Sequence, residues 1–206
     1  CLLLGKALGV PFVSKNEFLF NDTALALHVP YDDESSAIAS HTIATGQNAG
    51  WIWDIGLTHR RGVGHVYSSE YLSDDEAEAN LRKYLGGAAK DVTPRKIKFD
   101  SGHRETFWHK NCVAVGMAAG FIEPLEASAL ALIELSAKMI AKELPSVKSI
   151  MPITAKRFND RFEYRWQRII EFLKLHYVLS KRTSKYWQAN REKNTIPARL
   201  QELLTL

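Results

Sequence analysis

The sequence predicts a mixed α/β chain with its strands first and its helices last. Up to about residue 124, short stretches alternate apolar and polar residues, the two-residue period of a strand. Beyond it, apolar residues recur every three or four positions, the period of a helix. No stretch with the composition of a flexible linker separates a strand-rich part, 1–124, from a helical part, 125–206.

The opening "CLLLGKALG" reads as the middle of a helix, and it starts at Cys1 without Met, so an amino-terminal part is expected to precede it. "FLFNDTALALHVPYDD" reads as a strand that ends at Pro30 and an acidic turn, and "HTIATG" reads as another. In "GWIWDIGL" the alternation of strand side chains puts Trp51, Trp53 and Ile55 on one face, Ile52 and Asp54 on the other. "GVGHVYSS" follows across a short basic turn, which predicts a hairpin. "SDDEAEANLRKYLGG" has Ser73 and acids at its start and Gly86 and Gly87 at its end, the capping and charge pattern of a surface helix.

"RKIKFDSGHRETFW" and "CVAVG" read as further strands, with His103 and Arg104 as exposed strand or turn residues. A helix is then predicted through "LEASALALIELSAKMIAKEL" to Pro145. In the last long segment Phe158, Phe162, Trp166, Ile169 or Ile170, Leu173 and Tyr177 form one apolar stripe.

Composition narrows the function classes. With 46% hydrophobic and 24% charged residues the chain can build an ordinary globular core, and a net charge of +4 is too balanced to demand a polyanion. The basic residues Lys156, Arg157, Arg161, Arg165 and Arg168 interleave with aromatics of the apolar stripe, so they read as a solvated helix face and not a nucleic-acid surface. The two cysteines, Cys1 and Cys112, form neither a disulfide framework nor a zinc pattern, and a reducing, cytoplasmic setting fits them. No metal is expected, because His59 and His65 are not spaced with Cys or carboxylates as ligands are. No apolar run reaches membrane-spanning length. Ser128 lacks the G-x-S-x-G elbow of a hydrolase nucleophile.

The stretch with most chemical content is "GFIEPLEASAL", residues 120–130. Pro124 suits the first turn of a helix, and small residues let a ligand come close. The free N–H groups of Ser128, Ala129 and Leu130 would then offer an anion site at the positive end of the helix. Glu126 beside such a site is the best catalytic candidate. An alternative stays open, that Glu123 and Glu126 merely favour the dipole of a helix start.

In order, "GWIWDIGL", "GHVYSS", "FDSGHRETFWHKNCVAVGMAAGFIEPLEASAL" and "HYVLSKRTSKYW" resemble the flavin-dependent tryptophan halogenase family over nearly the whole chain. The resemblance implies part of an FAD-binding, monooxygenase-like module with a carboxy-terminal helical substrate region. It implies the family's chemistry: reduced FAD from a separate flavin reductase, oxygen and chloride or bromide together halogenate an electron-rich aromatic such as tryptophan or indole. Trp51, Trp53 and Ile55 match a Trp-x-Trp-x-Ile-Pro signature near the flavin, with Gly56 in place of the proline.

The resemblance further implies that Glu126 helps the arene lose its proton, that Ser128 and Ala129 form the halide site, and that Met117 and Leu130 touch the flavin. Ala127 stands where a serine is often found. Tyr177 and Trp187 match the substrate segment, Trp187 as the residue that stacks on the arene, and the shortened segment favours indole or another aromatic over free tryptophan. A homodimer stays open. The family's GxGxxG loop and catalytic lysine have no match within these residues, so the 206 residues by themselves are expected to be inactive. An FAD-dependent aromatic monooxygenase and a non-catalytic remnant of the family remain alternatives.

Overall fold

The computed structural model describes residues 2–31, 33, 35–90 and 92–205, so Cys1 lies outside the described residues. A π-helical turn at Leu2–Ala7 precedes β1 (Phe12–Ser14) and β2 (Thr23–Val29). Then follow β3 (Ile43–Gly46), β4 (Trp51–Gly56), β5 (Arg61–Tyr67), α1 (Asp74–Leu85) and β6 (Arg95–Lys98). The short strands β7 (Gly102–Arg104), β8 (Trp108–His109), β9 (Cys112–Val113) and β10 (Gly120–Phe121) lead to α2 (Ser128–Glu143). The chain closes with α3 (Met151–Leu179), α4 (Lys185–Ala189) and α5 (Ala198–Leu203).

Compactness does not follow sequence order. The first unit is Cys1–Leu19, Asp100–His176 and Ile196–Leu206, and the second is Phe20–Phe99 with Tyr177–Thr195.

In the second unit a five-stranded antiparallel sheet has the order β3-β4-β5-β2-β6. The predicted hairpin is β4 with β5, in a register that places Trp53 opposite Gly64. Of the two faces of β4, the one carrying Ile52 and Asp54 is fully buried, while Ile55 is exposed. Asp54 is held there by the Arg61 guanidinium, whose Nε donates at 3.1 Å, and by the Tyr84 hydroxyl at 3.1 Å. Helix α1 starts with a capping box between Ser73 and Glu76 and buries Ala77, Leu81 and Leu85. His65 of β5, also buried, has its ring nitrogens 3.1 Å from the Ala77 carbonyl and 3.3 Å from that of Ala49. Burial pushes its pKa below the ordinary histidine value, against the pull of both carbonyls.

In the first unit, β1-β7-β10 form a three-stranded antiparallel sheet and β8 pairs with β9. The stripe of α3 is buried as predicted, with Phe158, Phe162, Trp166, Ile170 and Leu173 in this unit's core, Ile170 being the buried member of the isoleucine pair. Phe158 and Phe162 stack at 4.3 Å between ring centroids. Asn159 docks the strand end onto α3: its Oδ1 accepts from the backbone N–H of Phe107 and Trp108 at 3.0 and 2.7 Å, and its Nδ2 donates to the Trp108 carbonyl at 2.9 Å.

His103 corrects the sequence reading. It is buried, not exposed, because its ring packs 5.5 Å from that of Trp166 on α3 and 5.6 Å from that of Phe107, just before β8.

Candidate active site

The residues after β10 turn once before α2 begins. Pro124 does not open the helix as predicted: Ala127 takes a left-handed conformation (φ 50°, ψ 28°), which a right-handed helix cannot pass through, so α2 starts at Ser128. The Ala127 N–H closes the turn on the Pro124 carbonyl at 3.3 Å. Glu123 and Glu126 therefore precede the helix instead of lining its first turn, which contains no acid.

Ser128, Ala129 and Leu130 are the first three residues of α2, and no side chain caps them. Their amides are the ones a helix cannot satisfy internally. Glu126 is half-exposed, and its Oε1 meets His176 Nε2 at 2.8 Å. Glu123 is buried, and it exerts an electrostatic pull on the buried Lys174 of α3. Burial lowers the Lys174 pKa to about 7, and the Glu123 carboxylate works against that fall.

Around this turn the surface is apolar. Met117 is 83% exposed and Leu130 75% exposed. Leaving such side chains in water forgoes roughly 1.5–3 kcal/mol each, so both fit contact with a flat apolar ring. Met117 and Ala129 also line a cavity of about 210 Å³ whose floor includes Phe162 and Trp166.

The second unit gathers the other candidates. Trp51 is buried and Trp53 half-buried, their rings edge-on with centroids 6.3 Å apart. The Trp53 indole lies across Gly64, where a Cβ would come within 2.2 Å of it. Tyr177 and Trp187 are brought together, with centroids 5.5 Å apart and planes inclined by 31°. Both are buried: the Trp187 indole N–H donates to the Gln47 carbonyl at 2.7 Å, and the Arg182 guanidinium lies 5.9 Å from the ring centroid. Glu126, Ser128, Ala129, Leu130 and Met117 thus belong to the first unit, Trp51, Trp53, Ile55, Tyr177 and Trp187 to the second.

With this geometry in place, comparison with known proteins gives a family. The model of the tryptophan halogenase family matches residues 1–206.

The chain belongs to the tryptophan halogenase family.

Among curated relatives, 7-chloro-L-tryptophan 6-halogenase KtzR of Kutzneria sp. (strain 744) is 42% identical over 91% of this chain, and tryptophan 6-halogenase SttH of Streptomyces toxytricini is 40% identical over 91%. This chain spans 36% of the length of each. A solved tryptophan halogenase from Shewanella frigidimarina NCIMB 400 superposes with a TM-score of 0.96 at 52% identity, covering 99% of this chain and 40% of that one. BrvH, a flavin-dependent halogenase from Brevundimonas sp. BAL3, gives 0.91 at 37% identity, covering 100% and 41%. The mixed α/β fold is therefore that of flavin-dependent halogenases.

The sequence reading overlooked three residues that the tertiary structure brings to candidate residues, two within the first unit and one within the second. Lys174 and His176 sit in a helical stripe that pattern alone assigns to packing and solvent, and only the fold carries them to the turn with Glu123 and Glu126. Asn21 is buried between the Tyr177 and Tyr186 hydroxyls, at 3.0 and 2.8 Å. The signal available in sequence was the isolated Lys174 within the apolar run "EFLKLHYVL".

Proposed function

We propose that the whole protein halogenates an electron-rich aromatic, tryptophan, indole or a similar ring, using reduced FAD, oxygen and chloride or bromide. The observation that carries this reading is the turn at Ala127, which sets a half-exposed carboxylate, Glu126, directly before three uncapped helix amides. That pairing of a base with an anion cradle, in a family whose relatives are named as halogenases, is what halogenation of an arene requires.

Bound reduced FAD, supplied by a separate flavin reductase, would provide with oxygen the oxidising power that makes halide electrophilic. Ser128 and Ala129 hold the halide through their amides at the positive end of α2. Met117 and Leu130 are the candidate cofactor contacts of the first unit, and Trp51, Trp53 and Ile55 are those of the second. Tyr177 and Trp187 form the aromatic support for the arene. When the carbon–halogen bond has formed, the C–H bond at the same carbon breaks, its electron pair returns to the ring, and Glu126 accepts the proton. The division at residue 124 separates a strand-rich part of the FAD-binding module, 1–124, from a helical substrate-binding region, 125–206, with Leu130 as the cofactor contact on the helical side, in chain segments whose compact units interleave.

The test uses the whole protein with FAD, a flavin reductase, NADH, bromide and indole, and reads the product by mass spectrometry. A bromine isotope pair is expected, and Glu126→Gln should reduce its formation by about 10²–10⁴-fold, the range of general-base catalysis. A hydroxylated product formed without halide would assign an aromatic monooxygenase instead. No product and no FAD binding would leave a non-catalytic member of the family.

A further inference from the structure

His176 occupies a place that the halogenase reading does not use. Its Nδ1 lies 2.9 Å from the carbonyl oxygen of Phe172, one helical turn earlier in α3. A carbonyl oxygen only accepts, so Nδ1 carries a hydrogen in this arrangement. The other ring nitrogen, Nε2, lies 2.8 Å from Glu126 Oε1. Contact at that distance needs a second proton between the two atoms, because a lone pair on Nε2 and a carboxylate would repel. The pair is then an imidazolium that donates to a carboxylate or, after a shift along the same line, a neutral imidazole that accepts from a carboxyl group.

The ring itself is held. Phe172 stands edge-on to it with centroids 5.0 Å apart, and the Nδ1 bond to the backbone fixes which way the ring turns. Two residues earlier the buried Lys174 is drawn to Glu123, at the other end of the same turn. Helix α3 thus meets the turn through two cations or potential cations, one at each glutamate.

We propose that His176 is the positioning residue for Glu126: it anchors Oε1 and so leaves Oε2 presented to the arene carbon that must lose its proton. This rests on the halogenase reading above. In the step itself the arene C–H bond breaks, its electrons return to the ring, and the proton goes to Oε2. In this step His176 acts only through the carboxylate it meets at 2.8 Å.

The experiment compares the whole protein with its His176→Leu and His176→Gln forms, brominating indole and ring-deuterated indole in competition. In the wild type the proton leaves quickly after halogen attack, so protiated and deuterated product should form at nearly equal rates. His176→Leu frees the carboxylate: kcat should fall about tenfold to a hundredfold with KM nearly unchanged, and a preference for protiated indole should emerge. His176→Gln keeps an N–H donor toward Oε1 and should restore both kcat and the equal isotope ratio. Nitrogen NMR of the histidine ring gives a readout independent of turnover. The Nε2 resonance should move in Glu126→Gln while that of Nδ1, bonded to the Phe172 carbonyl, stays in place.

Unchanged kcat and isotope ratio in His176→Leu would overturn the proposal and leave an ordinary surface ion pair. Equal losses in both variants without an isotope preference would overturn it in favour of a purely structural role. A wild type that brominates nothing would overturn the halogenase reading and this inference with it, so the two failures are distinguishable.

Discussion

Lys174 shows how a single side chain couples the candidate site to stability. Its ammonium group gives up its proton near pH 7 in the folded chain, against an ordinary value of 10.5, because burial removes the water that would solvate the charge. Between those values the unfolded chain binds more protons than the folded one, so this residue adds stability as pH rises from about 7 towards 10.5. Replacing both charges, Lys174→Met with Glu123→Gln, avoids an orphaned carboxylate and removes this dependence. Urea unfolding from about pH 7 to about pH 9 should show the wild type gaining up to roughly 2 kcal/mol more than the double variant. At Gly64 the constraint is steric. A Cβ there would meet the Trp53 ring at 2.2 Å and the Leu25 carbonyl oxygen at 2.6 Å. Gly64→Ala should cost about 1–3 kcal/mol by overpacking and should shift the tryptophan fluorescence.

At the scale of elements, local rules explain most boundaries. Helix α1 starts where Ser73 accepts from the Glu76 N–H while Glu76 reaches back to the Ser73 backbone. Ser73→Ala should therefore lower stability by about 1 kcal/mol, read from the thermal midpoint, with the spectroscopic helix content of the folded protein unchanged. Helix α2 has no such cap, and its first amides remain available. The contrast between the two helices fits their proposed tasks: α1 braces a sheet through Ala77, Leu81 and Leu85, and α2 presents its open end beside Glu126.

Capping pattern, strand alternation and the apolar stripe made α1, β4 with β5, and α3 legible in the sequence, because each depends on residues within a few positions of one another. The start of α2 was not legible. Pro124 at a helix entrance satisfies every local rule, yet Ala127 adopts the left-handed conformation that delays the helix to Ser128.

For the molecule as a whole, compactness arises from segments far apart in the chain. Residues 177–195 join the unit built from Phe20–Phe99, and Asn21 ties them there by accepting from the Tyr186 hydroxyl and donating to that of Tyr177. Asn21→Ala removes one hydrogen bond from each of two buried hydroxyls and should cost about 1–3 kcal/mol, with faster proteolysis within 177–195 as the direct readout. Family membership, the mixed α/β class and the candidacy of Glu126 followed from ordered motifs and periodicity, which are properties of neighbouring residues. The burial of His103, the charge partners Lys174 and His176, and the closing of 177–195 onto 20–99 needed the folded chain. The physical reason is the same in each case: these contacts join residues separated by tens of positions, and no local period records which distant side chain will arrive.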